Sequence, residues 1–302
     1  MTRKINKING ILLLDKPTGM TSNKALQITK HIFEAEKAGH TGSLDPIATG
    51  ILPICFGQAT KVSQYLIESS KTYQVIVKLG IKTTTGDREG SVVVEEKYKR
   101  IKQEKIDKVL KIFIGKSEQL PPMFSAIKVD GIRLYKHARK GLTVKREKRQ
   151  IVVHDISLKD YNEDLLELII HCSKGTYIRT LIEDIGLQLN TYAHVVELRR
   201  ISIDLLDSQY IKTLKELEIA KENQELHRYL LPLDIAIQSL PKIRISKKYQ
   251  SNFRQGQKIK LPPQDALLNK SIRIYDDKDQ IVGLGYIEND GLLKPIRVFN
   301  LI

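Results

Sequence analysis

The apolar residues of this chain come in short runs broken by Gly, Pro, Asn and Asp, and that limits it to small buried strands and amphipathic helices. The longest runs, such as residues 11–14 and 165–170, fall far short of the roughly 20 apolar residues that a membrane helix needs. Strands are expected at residues 10–14, 51–56, 73–79, 165–172 and 193–201. Helices are expected over 22–36, 59–67, 106–114 and 176–189. Ser22 reads as the N-cap of the first helix, with Ala25, Ile28 and Ile32 as its apolar face. Gly115 closes the third helix, and Pro121-Pro122 ends regular structure. Strands and helices alternate irregularly, and no internal repeat is visible.

Residues 231–241 carry Leu231-Pro232-Leu233-Asp234 and Leu240-Pro241 and read as a linker. Beyond it, residues 242–246, 271–275, 281–286 and 296–299 are short strands between turn residues, the pattern of a small β-barrel. With 302 residues the chain is long enough for one large domain and one small one. The division is expected near residue 238, giving 1–238 and 239–302.

Fifty Lys and Arg stand against 35 Asp and Glu, a formal charge of +15. Such an excess draws a protein toward polyanions, and RNA or DNA is the expected partner. Acidic membrane surface would attract the same charge, but the short apolar runs favour a soluble protein. The N-terminal stretch Met1-Thr2-Arg3-Lys4-Ile5-Asn6-Lys7 is basic and lacks the apolar core of a secretion signal, so a cytoplasmic protein is expected. Cys55 and Cys172 are not part of a C-x-x-C pair and are expected to be buried small hydrophobes. The seven histidines show no metal-ligand spacing, and no metal is expected. No phosphate-binding glycine loop occurs, since Gly283-Leu284-Gly285 stops short of one, and no cofactor is expected.

Chemistry concentrates in Gly39-His40-Thr41-Gly42-Ser43-Leu44-Asp45-Pro46-Ile47-Ala48-Thr49-Gly50-Ile51-Leu52. Three glycines and a proline supply backbone shapes that ordinary residues resist, so a side chain here can be presented toward a cleft. Asp45 is the candidate nucleophile. On spacing alone, Leu44-Asp45-Pro46 reads as a simple turn.

This block resembles the catalytic motif of the TruB family of tRNA pseudouridine synthases. Four further pieces follow the family's order: Leu14-Asp15-Lys16-Pro17-Thr18-Gly19-Met20-Thr21-Ser22-Asn23, Lys71-Thr72-Tyr73, Thr83-Thr84-Thr85-Gly86-Asp87, and His171-Cys172-Ser173-Lys174-Gly175-Thr176-Tyr177-Ile178-Arg179. The resemblance implies an α+β pseudouridine synthase fold with a mixed, largely antiparallel central sheet flanked by helices, and a small C-terminal PUA-like β-barrel that binds RNA. It implies isomerisation of uridine to pseudouridine at position 55 in the T loop of tRNAs, without cofactor or protein partner, by a monomer.

Roles carry over by position. Asp45 is the nucleophile, attacking either uracil C6 or ribose C1′. Arg179 pairs with it, and a close guanidinium favours the charged carboxylate. Tyr73 lies against the target base and serves as proton acceptor, stacking being worth about 1–3 kcal/mol per base. Tyr177 and Leu198 line the uridine pocket, although pattern alone makes both core residues. His40 enters the RNA loop as the base swings out, a movement that costs a few kcal/mol. Lys16 and Asp87 match positions near the cleft with structural roles. The family commonly has Asp where this chain has Thr84, which weakens any reading of that loop's charge.

Residues 121–149 match the family's basic insertion that closes over the RNA stem-loop. Lys128, Arg133, Lys136, Arg139, Lys140, Lys145 and Arg146 are its expected phosphate contacts, with Lys148 and Arg149 beyond them and Tyr135 and His137 interleaved. The segment is expected to be mobile alone and ordered on RNA. Two other functions fit parts of the pattern: a non-catalytic chaperone that only grips tRNA, and a guide-RNA-dependent relative working inside a ribonucleoprotein.

Overall fold

The computed structural model describes residues 6–204, 206–262 and 267–301. The first five residues of the basic N-terminal stretch therefore lie outside the described residues.

The first apolar run forms β1 (Gly10–Lys16), and α1 (Ser22–Ile32) follows it. Thr21, not Ser22, caps α1, its side chain accepting from Lys24 N. The helix ends four residues before the expected boundary because Glu34 turns to φ 52°. Its buried face is Ser22, Ala25, Leu26, Thr29 and Ile32, with Ile28 only half-buried. Next come β2 (Ala38–His40), β3 (Thr49–Phe56), α2 (Ser63–Glu68) and β4 (Lys71–Leu79). The single helix expected over 59–67 divides into a 3-10 turn, Gly57–Lys61, and α2.

A small hairpin of β5 (Ile81–Thr83) and β6 (Val92–Glu95) leads to α3 (Gln103–Ile112) and β7 (Gly115–Gln119). The basic insertion holds β8 (Lys128–Val129), β9 (Ile132–Arg133) and α4 (Leu134–Ala138). The chain continues through β10 (Arg149–Asn162), β11 (Leu165–Cys172), α5 (Ile178–Gln188), β12 (Ala193–Ile203), β13 (Leu206–Asp207) and α6 (Leu214–Glu222).

Among the described residues these strands make a nine-stranded sheet in the order β1-β3-β12-β4-β11-β10-β7, with β2 on β3 and β13 on β12. It is antiparallel except for β3 beside β12. The architecture is α+β, as expected. Period-two alternation in β1 sends Leu12 and Leu14 into the main core and Ile11 and Leu13 to the opposite face. Both faces are covered, which is why this strand reads as a continuous apolar run. Cys55 and Cys172 are free and buried.

The second sheet contains β14 (Lys242–Arg244), β15 (Ile259–Lys260), β16 (Ser271–Tyr275), β17 (Ile281–Ile287) and β18 (Leu292–Val298), with α7 (Lys247–Arg254) after β14. Its order, β14-β16-β17-β18-β15, is an open five-stranded path that curls as half of the expected barrel. The segment read as a linker is packed. Leu231 bridges to Ile11 in β1, Leu233 and Ile237 are buried, and the Asp234 carboxylate accepts from the Tyr275 hydroxyl. Tyr275, Ile281, Leu284 and Phe299 share one buried cluster with Ile11, Leu13, Ile51 and Cys55. The module thus braces the back of β1 and β3. Among the described residues, no helix is long and apolar enough to cross a membrane.

Candidate active site

Asp45 sits in the loop between β2 and β3, and three contacts fix that loop. The Ser22 hydroxyl donates to Leu44 O at 3.0 Å and accepts from Leu44 N at 2.8 Å. From below, Lys16 Nζ donates to Pro17 O, Met20 O and Pro46 O at 2.8, 2.8 and 3.4 Å. At the loop's end Gly50 has φ 94°, and a Cβ there would lie 2.2 Å from the carbonyl oxygen of Arg200. Only glycine lets β3 pass β12 so closely.

The loop presents Asp45 to α5. Asp45 Oδ2 accepts from Arg179 Nε at 2.9 Å, and the carboxylate side chain stays 40% open while the guanidinium is 5% exposed. Arg179 also donates to Thr85 O and Phe124 O at 2.8 Å each and lies 3.5 Å from Asp87 Oδ2. All of its branches are engaged, so the group that meets Asp45 cannot rotate away. Burial raises the Asp45 pKa above the ordinary carboxylate value, Arg179 and Lys16 oppose that rise, and Asp87 adds to it. Burial lowers Lys16 to about 8, against the pull of Asp45.

Tyr73 lies on β4, paired across the sheet with Arg200 on β12 and with Ile170 on β11. Its ring packs on the main core, and burial raises the phenol's pKa while the nearby Arg200 lowers it. The Asp45 charge also reaches the phenol and raises it further. Tyr177 precedes α5 with its backbone clamped by Gln119, which accepts from Tyr177 N at 2.8 Å and donates to Tyr177 O at 3.1 Å. Burial raises the Tyr177 phenol, which also senses Asp45 and Arg179. Leu198 is buried in the main core with Leu44 and lines a pocket of about 300 Å³ with Thr18, Ile47, Thr49 and Gln74.

His40 is half-buried in β2, opposite Ile54. Its Nδ1 is buried without a hydrogen-bond partner. Burial, then Arg200 and Arg133, lower its pKa. Phe124, within the insertion, accepts from Arg179, so that segment folds toward the cleft. Within it, Leu134 is fully buried, and Lys128, Arg133, Lys136, Arg139, Lys140 and Lys145 are exposed. Arg146 differs: half-buried, it donates to Pro121 O at 2.9 Å. Thr84 is exposed and its hydroxyl accepts from Ser91 N at 3.1 Å, so it pins the β5–β6 hairpin while Thr85 and Asp87 engage Arg179.

The structure brings Asp45, Arg179, Tyr73, Tyr177 and Lys16 together, with His40 at the edge and the exposed cations on the insertion. Sequence reasoning misses Gln119 and Arg200. Gln119 ends a short polar strand and carries no motif. Arg200 lies on a strand read from its apolar residues and stands in none of the motifs.

The comparisons agree along the chain. Residues 30–178 match the TruB family pseudouridylate synthase (N terminal domain), residues 179–238 the tRNA pseudouridylate synthase B C-terminal domain, and residues 241–299 the C-terminal domain of pseudouridine synthase II TruB. The tRNA pseudouridine synthase B of Coxiella burnetii (strain RSA 493 / Nine Mile phase I) is 45% identical over 294 residues, covering 96% of this chain and 94% of that protein. That of Actinobacillus pleuropneumoniae serotype 5b (strain L20) is 43% identical over 302 residues, covering 99% and 98%. Among solved structures, the crystal structure of a Cbf5-Nop10-Gar1 complex is similar with a TM-score of 0.73 and 26% identity, covering 96% of this chain and 84% of that one. On these matches, together with the Asp45 loop and its arginine, the chain belongs to the TruB family of pseudouridylate synthases.

Proposed function

We propose that the protein converts uridine to pseudouridine at position 55 in the T loop of tRNAs, with Asp45 as nucleophile. The observation that carries the reading is the 2.9 Å contact between Asp45 Oδ2 and Arg179 Nε at a place where the carboxylate is still partly open. A free carboxylate edge is what attack on an extruded nucleotide requires. The reaction breaks the N1–C1′ bond, turns the ring and forms the C5–C1′ bond, with the C5 proton lost and N1 protonated. No electrons are gained or lost, and no group is imported.

In this reading Tyr73 supports the loosened ring and takes the C5 proton, while Tyr177 and Leu198 close the pocket around it. Lys16 holds the Asp45 loop from beneath, as its three carbonyl contacts suggest. His40, with an unpartnered ring nitrogen at the cleft's edge, fills the gap left by the extruded base. The exposed cations Lys128, Arg133, Lys136, Arg139, Lys140 and Lys145 contact phosphates, and Arg146 serves the insertion's own fold. The insertion is mobile alone and settles on RNA, which slower hydrogen exchange at Leu134 in the tRNA complex would reveal. The second sheet, residues 239–302, is an RNA-binding module. The enzyme works in the cytoplasm as a monomer without protein partners, and the relatives above 40% identity, named for tRNA, support this over a guide-RNA-dependent assembly.

The test uses a tRNA transcript and the Asp45→Asn protein. Binding is expected to survive while pseudouridine formation stops. Persistent product would remove Asp45 from its role.

A further inference from the structure

Arg200 lies under the site and takes no part in the Arg179 cluster. Its side chain is among the largest fully buried ones, at 1% exposure. The adjacent Arg199 forks onto the Asp15 carboxylate with contacts of 3.0 and 2.8 Å. Among the described residues, no carboxylate is within ion-pair reach of Arg200. Its partners are instead parts of the site. Nε donates to Ile51 O at 2.7 Å, Nη2 donates to Gly42 O at 2.8 Å, and the guanidinium charge acts on the Tyr73 phenol. Arg200 and Tyr73 are direct partners across β12 and β4, so both side chains leave the sheet on one face. Space is left for it by Gly42, φ 65°, where a Cβ would lie 3.2 Å from Arg200 Nη1.

A buried cation without a carboxylate is costly, and an apolar residue would hold the strand at lower cost. Sheet stability therefore does not account for Arg200. A guanidinium has donors and no acceptor. Its fork therefore holds two backbone carbonyls while its charge stays beside the Tyr73 phenol.

We propose that Arg200 is a positioning residue for the isomerisation: it stands beside the Tyr73 phenol on one face of the sheet and ties that face, through Gly42 O, to the loop that carries Asp45. Nucleophile and phenol are thereby held as one unit. The inference rests on the proposed reaction, in which Tyr73 meets the base.

The experiment measures single-turnover pseudouridine formation on a tRNA transcript by the wild-type protein, Arg200→Lys, Tyr73→Phe and the double variant, with tRNA affinity and thermal unfolding alongside. Lysine keeps the charge but cannot hold Ile51 O and Gly42 O as the guanidinium fork does. Arg200→Lys is expected to lower the rate by about ten-fold or more, with tRNA affinity within about three-fold of wild type. In the Tyr73→Phe background the same change is expected to cost less than about three-fold, because the pair acts as a unit. Equal losses in both backgrounds, or no loss, would overturn the proposal.

Should Tyr73→Phe leave no measurable turnover, pH profiles decide. Arg200→Met, which lacks the cation, is expected to move the limb set by the phenol to higher pH, and Arg200→Lys is not; coincident limbs overturn the proposal. An inactive wild type would sink the proposed reaction itself, whereas an active one with equal losses sinks only the role of Arg200.

Discussion

Two effects set the charge of Asp45, and they oppose each other. Crowding by the cleft raises its pKa, and the Arg179 guanidinium lowers it. A carboxylate acts as nucleophile only when ionised, so the rate falls as pH drops through the pKa of the folded protein. Arg179→Met removes the opposing charge and raises that pKa further. The acidic limb of kcat/KM is then expected to move to higher pH, and a pH–rate profile with an unmoved limb would contradict the arrangement. Asp45, Arg179 and Tyr73 were legible in the sequence because each stands in a short motif that matches a family in order. Arg200 was not legible. It bonds Ile51 O and Gly42 O, residues far along the chain, and no local pattern announces a contact made only when β12 is inserted between β3 and β4.

Elements were read well where burial shows as an apolar run. β11 and β16 have the expected boundaries, Leu165–Cys172 and Ser271–Tyr275. β10 was missed because only Ile151, Val153 and Ile156 of its 14 residues are buried apolar, and two register shifts blur their alternation. The linker reading failed for a related reason: Pro232 and Pro241 mark a turn-rich path, yet Leu233 and Ile237 anchor it to the core. The one-residue error at the start of α1 is instructive, since Thr21 and Ser22 are both good caps. Thr21 takes the cap, and Ser22 is thereby freed to hold Leu44. Ser22→Ala leaves the buried N–H and C=O of Leu44 without that partner, at a cost of about 1–3 kcal/mol. The variant is expected to unfold at lower temperature and, because Leu44 adjoins Asp45, to lose more kcat than tRNA affinity. Unchanged kcat in a destabilised protein would show that the loop does not need this clamp.

At the scale of the whole molecule, the formal charge of +15 sets how strongly the protein meets RNA, while the buried cluster shared by the two sheets sets where its surfaces stand. The charge is unevenly useful. Several cations are tied up within the protein: Lys16, Lys71 and Arg200 point at carbonyls, and Arg179 holds carboxylates. The insertion contributes Lys136, Arg139, Lys140 and Lys145 in the open. If these four touch phosphates, each releases counterions, and the slope of log affinity against log salt flattens by about 0.7–0.9 for every contact removed. Changing all four to Gln is therefore expected to flatten the slope by about three units and to weaken binding alike for tRNAs of different sequence. Phosphate contacts position the substrate and do not read it, so the rate at saturating tRNA should fall less than KM rises. An unchanged salt slope would mean that the RNA path avoids the insertion and that the stem-loop is gripped by the second sheet instead.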